Sequence, residues 1–136
     1  MYKINWKNPF ARKLGKEDIV QNAIVNYIEY MYGVICIPCN TEFNKNKFFR
    51  WKALVMGQRS ATLDLFVPAA KNGYHGLFLE LKSDGVIVFK KNGELRRNEH
   101  LEAQHETIKQ HRSAGYKAEF ATGLKQATEI VDEYFK

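Results

Sequence analysis

The chain has little that could cross-link it, anchor it or leave it unfolded. Its 136 residues include two cysteines, Cys36 and Cys39, and three prolines. One C-x-x-C pair without a second excludes a four-thiolate zinc site. The pair ends a strand rather than opening a helix, so a thioredoxin-type redox role is not expected and both cysteines are read as structural. His75, His100, His105 and His111 include no pair spaced i, i+4, so a zinc-binding helix is not expected. No apolar run approaches the ~18 to 20 residues of a membrane-spanning helix. The segment Met1–Lys7 lacks the apolar stretch of a signal peptide, so we expect a cytoplasmic protein with reduced thiols and no membrane partner. There is no repeat, low-complexity tract or linker. At roughly 150 residues per domain, residues 1–136 read as one domain.

What is abundant is positive charge. Twenty-one Lys and Arg against 15 Asp and Glu give a net charge of +6, with pI near 9.3. The cations are clustered: residues 1–16 carry Lys3, Lys7, Arg12, Lys13 and Lys16 and no acid. A second stretch holds Lys45, Lys47, Arg50, Lys52 and Arg59, interleaved with Phe48, Phe49 and Trp51. Alternating aromatic and basic side chains suit a surface that neutralises phosphates and stacks on bases. Lys90, Lys91, Arg96 and Arg97 form a third group, either a solvated hairpin tip or further phosphate contacts.

Hydrophobic periodicity lays out the elements. A helix is expected over 17–32, with an apolar stripe of Val20, Ala23, Ile24, Tyr27, Ile28 and Met31 and a stop at Gly33. At about 100° per residue Glu17 falls in line with Gln21, Ile24 and Ile28, which places this acid on the buried side. Val34–Cys39 reads as a strand ended by Pro38 and an Asn40-Thr41 turn. Phe48–Met56 is either a short helix or a basic loop. Thr62–Val67 and Gly76–Lys82 read as strands joined through an Asn72-Gly73 turn. Val86–Phe89 with the Lys90–Gly93 turn suggests a basic flap. A helix over 98–114, a strand over 116–121 and a helix over 124–135 complete the order αβββαβα. This order predicts an α/β fold, a mixed central sheet flanked by helices.

The informative pair is Asp64 and Glu80. In a hairpin centred on Asn72, residues whose numbers sum to 144 face one another, so Phe66 meets Phe78 and Asp64 meets Glu80, with Cβ atoms ~5 Å apart. Lys82 points to the same face. An acid pair with a nearby lysine also occurs as an ordinary structural ion pair at a strand end. Here, however, both acids interrupt apolar runs. Two carboxylates so close are costly to bury unless a cation lies between them or one keeps its proton. Mg²⁺ or Mn²⁺, which take carboxylate and carbonyl oxygens, would resolve the conflict.

The combination Leu63-Asp64-Leu65-Phe66, Leu79-Glu80-Leu81-Lys82-Ser83 and Gln104, preceded by Glu17 on a helix, resembles the PD-(D/E)XK nuclease superfamily. More narrowly it resembles the VRR-NUC domains, the virus-type replication-repair nucleases often found as small phage proteins. Leu63 and Ala61 stand where that family usually has proline and glycine. The resemblance implies a restriction-endonuclease-like αβββαβ core with an added C-terminal helix, and a catalytic set of Asp64, Glu80, Lys82, Gln104 and Glu17. Asp64, Glu80 and the Leu81 carbonyl would bind Mg²⁺ or Mn²⁺, with Glu17 completing the shell or holding a second ion. Lys82 would position the attacking water, and Gln104 would brace Lys82 or that water. Such a protein would hydrolyse DNA phosphodiesters as a structure-specific, Holliday-junction resolvase-like endonuclease. A homodimer acting on branched DNA is expected, in the host cytoplasm if phage-encoded, with no small-molecule cofactor. The alternatives are a flap or single-strand nuclease of the same fold, or a nucleic-acid-binding domain without catalysis.

Overall fold

A computed structural model describes residues 1–39 and 46–136. After a 3-10 turn at Pro9–Lys13 come α1 (Lys16–Tyr32), β1 (Ile37–Pro38), α2 (Lys47–Val55), β2 (Leu65–Val67) and β3 (Leu77–Lys82). Helix α3 (Glu99–Ser113), strand β4 (Lys117–Thr122) and helix α4 (Gly123–Phe135) follow. The four strands form one mixed sheet in the order β1-β2-β3-β4, antiparallel except for the parallel β3–β4 pair. The fold class is therefore the α/β arrangement expected from the hydrophobic pattern.

Local chemistry explains the boundaries. Helix α1 ends where Gly33 turns left-handed at φ 68°, its N–H returning to the Glu29 carbonyl at 3.0 Å. Helix α3 starts at Asn98, whose side chain accepts from the His100 and Leu101 N–H groups at 3.0 and 3.1 Å. Asn46 caps α2 in the same way, through Phe48 N–H at 2.9 Å, so the open choice over 48–56 resolves as a helix. The β2–β3 register pairs Phe66 with Phe78 and Leu65 with Leu79, the pairing set by a hairpin about Asn72. Asn72 itself sits at φ 52°, a conformation asparagine tolerates in tight turns.

The first strand is shorter than expected. Instead of Val34–Cys39, only Ile37–Pro38 pairs with β2. Pro38 has no N–H to extend a ladder, and beyond it a single bond from Cys39 N–H to the Asp64 carbonyl, 2.9 Å, continues the contact. Pairing of β2 likewise begins at Leu65 rather than Thr62. The Asn40-Thr41 turn and Lys45 lie outside the described residues.

Alternation along β3 divides the core. Leu77, Leu79 and Leu81 point to one face and pack with Ile24 and Ile28 of α1 and Ala127, Val131 and Tyr134 of α4. On the opposite face Phe78 packs with Ile108 of α3, Ala118 and Phe120 of β4, and Leu63 and Val88. Burying side chains of this size contributes about 1.5–3 kcal/mol each. Val88 fixes the expected flap, whose hairpin closes through Arg96 N–H to the Val88 carbonyl at 2.9 Å and Lys90 N–H to the Glu94 carbonyl at 2.7 Å. Glu80 and Lys82 continue the Phe78 row, so they emerge on the α3 face at the strand's C-terminal end.

Gly123 joins β4 to α4 at φ 75°, beside the Lys82–Thr122 pair, and a Cβ added there would meet Asp84 Oδ1 at 2.2 Å. Gly123→Ala is expected to lower stability by about 1–2 kcal/mol through the left-handed backbone alone. Thermal melting reads this as a drop of several degrees, and an unchanged melting temperature contradicts the assigned backbone.

Candidate active site

Four side chains meet where β3 passes under α3. Glu80 and Gln104 are each 3% exposed, and Lys82 is 8% exposed. The Lys82 ammonium donates to Gln104 Oε1 at 3.0 Å and to Glu80 Oε1 at 3.3 Å. Gln104 Nε2 donates to the same Glu80 oxygen at 2.6 Å. Because an ammonium can only donate, the Lys82 bond fixes which end of the Gln104 amide is oxygen. The Gln104 nitrogen also lies 3.0 Å from His100 Nε2, a contact in which the amide N–H can donate to the ring nitrogen. Gln104 thus braces both Lys82 and Glu80, while His100 orients Gln104.

Asp64 joins from the end of β2. Its Oδ2 accepts the Leu81 N–H at 2.7 Å, which brings the carboxylate onto the backbone between Glu80 and Lys82. Asp64 and Glu80 lie close enough for the charge of one to act on the other. Burial, followed by the charge of Asp64, pushes Glu80 up to about 8, although Lys82 favours the ionised form. Burial also raises Asp64, partly offset by the Leu81 N–H. The second Glu80 oxygen, Oε2, is buried without a hydrogen-bond donor. An acceptor left bare beside a second carboxylate fits a divalent cation, and Asp64, Glu80 and the Leu81 carbonyl are the oxygens available to hold one.

The other expected residues are placed unevenly. Glu17 is exposed rather than buried, because the first turn of α1, Lys16–Ile19, runs past the core and only from Val20 onward does it lie over the sheet. It nonetheless lines a cleft of about 340 Å³ with Lys82, Arg96, Arg97, Asn98 and His100. Among the described residues, no three His, Cys, Asp or Glu side chains gather into a metal-holding group, so Glu17 does not complete a triad with Asp64 and Glu80. Neighbouring Asp18 acts on Asp64 through its charge, while its Oδ2 accepts the Gly15 N–H at 2.7 Å. Arg96 and Arg97 border the cleft, whereas Lys90 and Lys91 are exposed on the flap. Lys47, Arg50, Lys52 and Arg59 are exposed on and after α2. Sequence reasoning missed His100, although its i, i+4 spacing from Gln104 on α3 was a usable signal. Cys36 and Cys39 form no disulfide, and burial pushes Cys36 up to about 11, which suits an inert structural thiol.

The Glu80 shift has a measurable sign. Its folded-state value lies above its ordinary 4.5, so the stabilisation from its bound proton is complete below 4.5 and is lost as pH rises through about 8. Gln at position 80 never ionises. The melting temperature of Glu80→Gln minus that of the parent, without divalent ions, is expected to be small at acid pH and to grow by several degrees at alkaline pH. His105 and His111, which burial lowers, cancel in this difference. A flat difference would place Glu80 in a solvated setting.

No protein-family model matches the chain, and no curated protein matches it. One solved structure, described as a VRR_NUC domain protein, superposes with a TM-score of 0.58. The match covers 89% of this chain and 88% of the other, at 23% sequence identity. At that identity the likeness concerns architecture. The chain shares the fold of that VRR_NUC domain protein, an α/β arrangement with a mixed four-stranded sheet between helices.

Proposed function

We propose that the chain is a metal-dependent nuclease that hydrolyses DNA phosphodiester bonds with water as the attacking group. The observation that carries this reading is the buried, donorless Glu80 Oε2 beside a second carboxylate, with an ammonium two residues away. Asp64, Glu80 and the Leu81 carbonyl would hold Mg²⁺ or Mn²⁺. Bound there, the ion would supply an activated water and offset charge on the scissile phosphate.

The chain's own side chains do the rest. Lys82 lines the cleft, and its ammonium is fixed by two acceptors, so it is already oriented to hold a phosphate oxygen or the attacking water. Gln104 keeps that ammonium from collapsing fully onto Glu80, because it occupies the same Glu80 oxygen and offers its own carbonyl instead. Arg96 and Arg97 give the cleft mouth the positive charge that a DNA backbone requires. Glu17 lies on the same rim and would act on the bound substrate or its water rather than as a ligand beside Asp64 and Glu80. The resemblance supports branched DNA as the substrate and a homodimer as the working form, since paired sites suit symmetric cuts in a four-way junction.

Incubation with Mg²⁺ or Mn²⁺ and labelled linear, flapped and four-way DNA tests the proposal. The parent should cleave at least one substrate. Asp64→Asn and Lys82→Ala should each lose about a hundredfold or more in rate, with binding measured in EDTA retained within a few-fold. Cleavage by Asp64→Asn at the parental rate would refute the assignment.

Thiols give a separate control. Cys39→Ser is expected to leave cleavage unchanged, and a loss of activity would point instead to thiol chemistry. Mn²⁺ should raise the melting temperature of the parent, more at alkaline than at acid pH because its ligands must be ionised. The same ion should have little effect on Asp64→Asn, and equal stabilisation of both proteins would place the ion elsewhere.

A further inference from the structure

The connection between β1 and β2 carries α2, whose side chains have no part in the chemistry above. No residue of Lys47–Val55 is buried. Phe48, Trp51 and Val55 are 59%, 60% and 63% exposed. At about 100° per residue these three share one stripe, bordered by Lys47 on one side and Lys52 on the other. The Phe48 and Trp51 rings lie 6.1 Å apart along it. Residues 46–60 include Lys47, Arg50, Lys52 and Arg59 and no acid.

An apolar stripe left bare on a charged protein marks a contact surface, and charge selects the occupant. Pairing the stripe with that of a second copy would set like charges against each other with no acid to offset them. A polyanion with apolar faces answers both features, since phosphates meet the lysines and base rings meet Phe48 and Trp51. Chain connectivity adds a further argument. Cys39 N–H bonds the Asp64 carbonyl at 2.9 Å, so the two ends of the connection that holds α2 meet at Asp64, one of the proposed metal ligands.

We propose that α2 is a stacking platform for unpaired bases, so the substrate class is DNA with single-stranded or unstacked nucleotides near the cut. In a continuous duplex both faces of each base are covered by their neighbours. The rings can therefore stack only where pairing is interrupted, as at a flap, a gap or the branch point of a junction. This inference rests on the nuclease reading for the presence of DNA, but its test requires no cleavage.

Binding of the full chain in EDTA is followed by fluorescence anisotropy, using a labelled single strand and the blunt duplex of equal length. Phe48→Ala/Trp51→Ala should weaken single-strand binding about tenfold or more and leave duplex binding within about twofold. Lys47→Gln/Lys52→Gln should weaken both and flatten their salt dependence. All four positions are exposed, and thermal melting confirms that the variants fold. Unchanged single-strand affinity in the aromatic variant overturns the proposal, as does an equal loss for both DNAs. It is also overturned if that variant dissociates a parental dimer, or releases the parent from phosphatidylglycerol vesicles, with single-strand affinity unchanged. Selective loss of single-strand binding in a chain that cleaves nothing keeps the platform and removes the nuclease. Cleavage with unaltered binding by the aromatic variant does the reverse.

Discussion

Two carboxylates held against each other under a helix form the constraint on which this site depends. Asp64 and Glu80 come from different strands, are largely withdrawn from water, and would repel each other if both were ionised. A folded chain tolerates that only when something positive or a proton intervenes. Lys82 and Gln104 answer part of the demand by converging on one oxygen of Glu80. The other oxygen remains unanswered. That residual demand is the electrostatic cost that the proposed divalent ion would offset.

The fold holds this conflict in place by dividing labour between the two faces of β3. Leucines 77, 79 and 81 tie the strand to α1 and α4, while the alternate residues run from Phe78 to Glu80 and Lys82 beneath α3. A one-residue slip would exchange the two rows, putting leucines in the cleft and charges in the core. The Phe66–Phe78 pair, with ring centroids 4.6 Å apart, helps hold that register. Positioning of the acids is thus set by apolar contacts remote from the chemistry.

Features that depend on period and local turn chemistry were legible in the sequence. The hairpin register about Asn72, the ends of α1 and α3, and the convergence of Asp64 with Glu80 all follow from alternation and capping. Glu17 shows where this reasoning stops. Helical phase correctly aligned it with Ile24 and Ile28, but phase does not say how far the core extends beneath a helix, and the first turn of α1 overhangs it. Strand length failed for a related reason, because pairing depends on a partner edge that composition does not reveal. His100 was overlooked because the histidines were compared only with one another for a metal-binding spacing, whereas its partner one turn along α3 is the amide of Gln104.

The brevity of β1 has a consequence for how copies of the chain meet one another. An outer strand presents unsatisfied amides on which another molecule's backbone can template itself. At the β1 side, opposite the β4 edge, that rim amounts among the described residues to Ile37 and a proline whose ring nitrogen has no hydrogen to offer. The exposed Ile37 side chain therefore comes without the long ribbon of donors that would let crowded molecules zip together into fibrous stacks.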